Sequence, residues 1–215
     1  MDLVSLESEL IAWLNDNLST GEATEVGLGD DAAVLRKTKS NQVVTADLLS
    51  DGVDFLIDEV SPEQIGHKAL GVNLSDLAAM AAVPQTAFVS LLLPSSGNQK
   101  HNTLELAIGL YKGLLPLAKQ HEVIIAGGDT NTWNGGLAIS ITAIGETTEY
   151  GPLTRDGGQP GDKLLVTGKL GGSILGRHLA VEPRVNEALL LHQQYELNAG
   201  IDISDGLAWI VLAWL

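Results

Sequence analysis

The chain has 215 residues with 12 basic and 27 acidic side chains, a formal net charge of −15, and no cysteine. The acidic surplus argues against nucleic-acid binding, which needs concentrated Lys and Arg, and the lack of cysteine excludes disulfides, thiolate catalysis and cysteine-ligated zinc. The N-terminus lacks the features of a signal peptide, and the longest apolar run, residues 207–215, is shorter than the ~20 residues of a membrane span, so we expect a soluble cytoplasmic protein that binds no membrane.

Apolar residues recur in patterns that predict helices and strands. Residues 5–17 have helical spacing, and residues 42–47 indicate a strand that ends in an acid. The sequence SPEQ at 61–64 has the Ser cap, the first-turn Pro and the capping-box Gln of a helix start. We expect this helix to continue to residues 80–82, before a proline.

The next elements alternate in the same way. Residues 86–93 predict a strand, and residues 103–120 predict a helix that Pro116 bends. Residues 122–126 predict a short strand that leads into a glycine-rich turn. Residues 137–145, LAISITAIG, predict a strand buried on both faces.

A segment rich in glycine and proline, residues 151–161, is the best candidate for a domain linker. Residues 163–167 after it predict the first strand of a second unit. The order of elements predicts a mixed α/β protein with an N-terminal domain at 1–150 and a partial C-terminal domain at 151–215.

Aspartates recur at predicted strand ends and in glycine-rich turns. Hard divalent cations prefer oxygen ligands, and Mg²⁺ takes one or two carboxylates together with phosphate oxygens and waters. The alternative is ordinary turn chemistry, in which an aspartate next to glycine bonds its own backbone. The recurrence within one chain weakens that alternative for Asp30, Asp31, Asp47, Asp129, Asp202 and Asp205.

Asp76 differs because it lies within a predicted helix, on a stripe of small and apolar residues. A buried acid is costly unless it meets a cation or a hydrogen-bond donor. The alternative is that the stripe is half-buried and Asp76 reaches water. The pattern alone leaves both interpretations open.

Familiar phosphate-binding and hydrolase motifs are absent. The stretch GKLGGS lacks Walker A spacing, and GLGDDA places acids where a phosphate-binding loop needs bare backbone. No HExxH or GxSxG motif occurs. A nucleotide would therefore have to be held largely through metal ions.

Several segments together resemble the thiamine-monophosphate kinase family, whose superfamily also contains aminoimidazole ribonucleotide synthetase. The most specific of them are HKALGVNLSDLAAMAAVP at 67–84 and AGGDTN at 126–131. They occur in family order with GLGDDAAVL (27–35), VVTADLL (43–49), LTRDGGQPGD (153–162), VTGKLGGSILG (166–176), EPRV (182–185) and IDISDGLA (201–208).

The resemblance implies an architecture and a set of site residues. An N-terminal mixed-sheet domain would form a dimer-spanning β-barrel in a homodimer, followed by an incomplete C-terminal α/β domain. Family members continue for roughly another hundred residues, the size of a full second domain, so we expect a C-terminal truncation. The family's metal positions fall on Asp30, Thr45, Ala46 (through its backbone), Asp47, Asp76, Asp129, Asp202 and Asp205, and its ATP contacts fall on Gly128, Arg155 and Ser204. Asp54 stands where the family has a substrate-binding His.

The implied activity is ATP-dependent phosphorylation of thiamine monophosphate to thiamine diphosphate, by direct in-line transfer with several Mg²⁺ ions. The acceptor phosphate, with a second pKa near ~6, is already largely ionised at neutral pH, so we assign no catalytic base and expect no phospho-enzyme. Two alternatives remain: a non-catalytic dimeric remnant that binds nucleotide and metal, and a purine-biosynthesis synthetase of the same superfamily.

Overall fold

A computed structural model describes residues 3–18, 23–26, 34–35, 38–204 and 206–208. The predicted site residues Asp30 and Asp205, together with Asp31, lie outside the described residues. The elements, in chain order, are α1 (Leu3–Asn17), β1 (Thr24–Val26), β2 (Val34–Leu35), β3 (Gln42–Ser50), α2 (Pro62–Ala79), β4 (Ala82–Pro94), α3 (Thr103–Gln120), β5 (Ile124–Trp133), β6 (Ala138–Thr147), two 3₁₀ turns (Ser173–Leu175 and Arg177–Leu179) and α4 (Val185–Gln194).

The centre of the fold is a mixed four-stranded sheet with the strand order β3-β6-β4-β5. Strand β6 is antiparallel to both of its neighbours, β3 and β4, whereas β4 and β5 are parallel. Strands β3, β4 and β5 therefore run in one direction, with α2 and α3 as the crossovers between them. Strands β3 and β5 form the two edges. The predicted mixed α/β class is confirmed.

The two faces of the sheet differ because the helices that the structure describes cover only one of them. The inner face, which carries Val89, Ile139 and Ile141, is buried beneath the helices. On the outer face, Val44 is 58% exposed and Leu48 is 65% exposed. The prediction that the last strand is buried on both faces is wrong, since β6 alternates between buried and half-buried residues along its whole length.

Helix α2 begins as its sequence predicts. The Ser61 side chain accepts from the Gln64 amide, the Gln64 side chain accepts from the Ser61 amide, and Pro62 occupies the first turn. The helix ends at Ala79, earlier than predicted, because Ala81 adopts a left-handed conformation with φ of +50° and β4 begins directly after it. The capping box thus defines the start of the helix that lies over β3.

Glycines allow α2 and α3 to pack with their backbones in contact. A Cβ on Gly66 would lie 1.9 Å from the Leu110 carbonyl oxygen, and a Cβ on Gly113 would lie 1.8 Å from the Glu63 carbonyl oxygen. Such distances exclude any side chain at either glycine. Helix α3 contains Pro116 and runs unbroken from Thr103 to Gln120.

The segment after β6 has little regular structure before α4. The predicted strand at 163–167 is wrong: these residues form no strand, and Leu165 is 64% exposed. A strand needs a hydrogen-bonded neighbour, and the described part of the chain supplies none for this segment. The predicted turn after residues 122–126 is also wrong, since β5 continues through Gly127 and Gly128 to Trp133.

No described helix is both long and apolar enough to cross a lipid bilayer.

Candidate functional site

The strongest site geometry lies where the edge strand β3 meets α2. Strand β3 directs Thr45 and Asp47 toward the inner face, and Asp76 projects from the C-terminal half of α2. Thr45 Oγ1 donates a 2.6 Å hydrogen bond to Asp76 Oδ2. Asp76 is half-buried, so the structure combines both interpretations of its sequence position: the carboxylate is partly exposed and also meets a donor.

Asp47 lies in an unusually acidic environment. Burial, followed by the carboxylates of Asp76, Asp202 and Asp54 in that order, raises the pKa of Asp47 above its ordinary value. Like charges disfavour the ionised form of a carboxyl group. A bound cation would relieve this repulsion.

The donor set fits a hard divalent cation that is shared with a ligand. In the described ranges, the ion pairs are those of Arg184 with Glu182 and Glu187, so no basic side chain neutralises Asp47 or Asp76 by direct contact. The same ranges contain no cluster of three or more acidic or histidine side chains able to enclose a metal. Two carboxylates that share a cation with phosphate oxygens and waters form the arrangement that suits Mg²⁺.

Ala46 lies between these residues with its side chain on the outer face, paired with Thr142 of β6. Because β3 is an edge strand of the described sheet, half of its backbone groups have no partner strand among the described residues. The predicted backbone role of Ala46 is therefore compatible with its position.

Asp129 is not brought to this cluster within one chain. Asp47 pairs with Ile141, which pairs with Val89 on the inner face. Asp129 pairs with Ser90, which pairs with Ser140, and Ser140 pairs with Leu48 on the outer face. The two aspartates thus occupy opposite edges and opposite faces of the sheet, with about 14 Å between the edge strands for three inter-strand spacings.

The three predicted ATP-contacting residues also lie in separate places. Gly128 is on the β5 edge, where a Cβ would lie 1.8 Å from the Val89 carbonyl oxygen. This close approach of β4 requires a glycine. Arg155 and Ser204 are exposed in the irregular segments that flank α4, and Asp202 is half-buried close to the latter.

Asp54, the predicted substrate contact, helps to close the loop after β3. Its Oδ2 accepts a 2.8 Å hydrogen bond from the Ser50 amide, and its carbonyl oxygen accepts a 2.7 Å hydrogen bond from Lys68 Nζ. Sequence reasoning missed the contribution of Lys68, although it lies in the HKA motif. It also missed Asp51, whose Oδ1 accepts from the Ile57 amide in the same loop.

Comparison with known proteins identifies the family to which the chain belongs. The family model of "AIR synthase related protein, N-terminal domain" matches residues 29–147. The thiamine-monophosphate kinase of Rhodopirellula baltica is 44% identical over 209 residues, which cover 94% of this chain and 64% of that protein. The chain therefore spans just under two thirds of the length of this relative.

Two solved structures share the fold. The crystal structure of thiamine-monophosphate kinase from Stenotrophomonas maltophilia is 31% identical, with a TM-score of 0.69, covering 94% of this chain and 68% of that chain. The structure of AaThiL complexed with AMPPCP and TMP is 27% identical, with a TM-score of 0.70, covering 100% of this chain and 71% of that chain. The chain belongs to the AIR synthase related family and, within it, to the thiamine-monophosphate kinases.

Proposed function

We propose that this chain carries the Mg²⁺–ATP-binding part of an enzyme that phosphorylates thiamine monophosphate to thiamine diphosphate. The observation that carries the proposal is the cluster of Thr45, Asp47 and Asp76, in which two carboxylates and a hydroxyl have no basic partner among the described residues. The kinship with thiamine-monophosphate kinases and the AMPPCP and TMP bound by AaThiL support the substrates.

Asp47 and Asp76 would hold Mg²⁺, with the backbone of Ala46 and the hydroxyl of Thr45 beside them. Asp202 would join them through its electrostatic proximity to Asp47. Asp30, Asp129 and Asp205 would complete the proposed metal set by family position. The ions would neutralise negative charge on the transferring phosphoryl group.

The protein's own contribution is to position charge rather than to transfer protons. The bond from Thr45 fixes the Asp76 carboxylate in one orientation. In the reaction an oxygen of the acceptor phosphate attacks the γ-phosphorus of ATP in line, the bond to the β–γ bridging oxygen breaks, and ADP leaves. Because the attacking oxygen is already ionised at neutral pH, no general base is assigned.

We further propose that the outer face packs against a second copy, each contributing four strands to a shared barrel. The exposed Val44 and Leu48 would be buried in this contact. The position of Asp129 supports the same arrangement, because its own chain holds it away from Asp47. A partner's β5 edge placed beside β3 would bring its Gly128 and Asp129 next to the strand that carries Thr45 and Asp47.

Residues 151–215 would belong to a second domain that closes over the nucleotide, with Arg155 and Ser204 contacting ATP. Asp54 remains a predicted substrate contact. Its Oδ2 is occupied by the Ser50 amide, which leaves Oδ1 for a ligand. The end of the sheet at Thr147, three residues before the proposed division at residue 150, supports this boundary.

The test is to incubate the purified chain with Mg²⁺, ATP and thiamine monophosphate and to measure thiamine diphosphate by chromatography. Asp47→Asn and Asp129→Asn should each lower the rate by about 100-fold, since each removes charge that stabilises the transferring group. Asp16→Asn, at an exposed acid on α1, is the matched control and should retain the wild-type rate.

Product formation that persists in both site variants would contradict the metal assignment. A wild-type chain that binds Mg²⁺–ATP by calorimetry, with Asp47-dependent affinity, but forms no product would instead establish a nucleotide-binding remnant.

A further inference from the structure

The glycine-rich linker makes specific contacts with the end of α2. Leu153 is 6% exposed, and its amide donates a 3.0 Å hydrogen bond to the Met80 carbonyl oxygen. The Met80 amide in turn donates to the Asp76 carbonyl oxygen at 3.1 Å. The linker is thus attached one turn beyond a proposed metal-binding residue.

The same linker residues also contact the segment that leads to Asp202. The Gly200 amide donates a 3.1 Å hydrogen bond to the Thr154 carbonyl oxygen. A Cβ at Gly200 would lie 2.4 Å from the Ala79 carbonyl oxygen and 3.2 Å from Leu153 Cβ. The Ala79 oxygen belongs to the backbone of α2 and Leu153 is buried, so neither can move aside for a side chain at Gly200.

A second set of contacts repeats this pattern further along the linker. A Cβ at Gly157 would lie 1.9 Å from the Asn198 carbonyl oxygen. Asn198 Nδ2 donates to both carboxylate oxygens of Asp162, at 3.1 and 3.0 Å, and Asp162 Oδ2 also accepts from the Gln159 amide. These hydrogen bonds hold the pKa of Asp162 below its usual range.

We propose that Gly200 is a positioning residue, which lets residues 198–202 lie between the linker and the end of α2 and thereby holds Asp202 beside the helix that carries Asp76. Gly200 and Asp202 are two positions apart, so the backbone can span at most about 7 Å between them. A side chain at Gly200 would push this segment off the Ala79 carbonyl oxygen and carry Asp202 away from the cluster.

This inference rests on the proposed function where it concerns metal binding. The packing of Gly200 is tested separately, by amide hydrogen exchange. The variants are Gly200→Ala, Asp202→Asn and the control Gly158→Ala, whose Cβ would meet only the Ala199 Cβ at 3.9 Å. Binding of Mn²⁺ alone is measured by electron paramagnetic resonance, far below the unfolding temperature. Amide hydrogen exchange at Leu153 reports whether the linker stays attached.

Gly200→Ala should weaken Mn²⁺ binding about tenfold, similar to Asp202→Asn, because the segment that positions the proposed ligand Asp202 would be displaced. It should also accelerate exchange at Leu153, whereas Gly158→Ala should change neither. A purely structural glycine would lower the unfolding temperature without changing Mn²⁺ affinity. A second variant, Asn198→Ala, adds no volume at an exposed position and should also weaken Mn²⁺ binding.

Wild-type Mn²⁺ affinity in both Gly200→Ala and Asn198→Ala would overturn the positioning role. If the wild-type chain itself binds no Mn²⁺, the proposed metal function fails, and the exchange measurement still decides the geometry. In that case, unchanged exchange at Leu153 in Gly200→Ala would overturn the inference.

Discussion

The Thr45 hydroxyl donates a 2.6 Å hydrogen bond to the Asp76 carboxylate and so joins β3 to α2 across 31 positions of sequence. This hydrogen bond holds β3, which carries Asp47, against α2, which carries Asp76. Charge-assisted hydrogen bonds of this kind are short and roughly twice as strong as neutral ones.

Replacing Thr45 by Val should remove the donor while keeping the side-chain shape. The half-buried Asp76 carboxylate then loses its partner, and the free energy of unfolding should fall by about 1–3 kcal/mol. Chemical denaturation measures this change. Thr45→Ser retains the hydroxyl and should stay within about 1 kcal/mol of wild type; an equal loss in both variants would mean that the methyl group, rather than the hydrogen bond, matters.

Asp47→Asn should stabilise the metal-free chain at neutral pH while it removes Mg²⁺–ATP binding. The folded-state pKa of Asp47 is raised, so ionising this group costs folding free energy. The cost is absent below the ordinary aspartate pKa, grows as pH rises toward the raised folded-state pKa, and is constant above it. Melting curves with chelator should therefore coincide at low pH and separate in favour of Asp47→Asn as pH rises.

A variant that is no more stable than wild type at neutral pH would show that the surrounding carboxylates do not strain Asp47. The matched substitution Asp16→Asn, at an exposed acid on α1, controls for the loss of one negative charge.

Gly113→Ala should destabilise the contact between α2 and α3. The added methyl would lie 1.8 Å from the Glu63 carbonyl oxygen, so the helices must separate. Overpacking of this kind costs about 1–3 kcal/mol or more, which outweighs the roughly 1 kcal/mol that alanine gains over glycine within a helix. Thermal denaturation of Gly113→Ala beside Gly158→Ala tests this, and equal melting temperatures would contradict the close packing.

Leu48→Lys should weaken self-association through the outer face of the sheet. Leu48 is exposed on one chain and would be buried in the proposed dimer, where an unpaired ammonium is costly. Sedimentation velocity should show a shift from dimer to monomer. Val53→Lys alters an exposed apolar side chain in the loop after β3 and should leave the dimer intact, while loss of the dimer in both variants would point to a general effect of charge.

Local sequence signals predicted the elements of the first 150 residues well. The capping box at Ser61 is present in full because it depends only on neighbours in sequence. The prediction of a strand at 163–167 was wrong for the opposite reason, since apolar content gives strand propensity but does not supply a partner strand. The prediction that β6 is buried on both faces was wrong because a run of Ala and Ile does not reveal on which faces helices lie.

Site prediction had a similar limit. The aspartates were identified by residue type and family position, and the structure brings Asp47 and Asp76 together. Sequence reasoning missed that Asp129 faces away from them, because the strand order β3-β6-β4-β5 differs from the order along the chain. It also missed that Gly200 has no room for a side chain, since a close contact with the Ala79 carbonyl oxygen, distant in sequence, leaves no local signature.

The placement of Asp47 and Asp129 on opposite edges has a consequence for genetics. If a site takes one acid from each copy, two defective alleles can complement each other. A mixed dimer of Asp47→Asn and Asp129→Asn chains has one site with both acids and one with neither, so random mixing restores about a quarter of the sites. The same two substitutions on one chain, expressed with an equally defective copy, restore none.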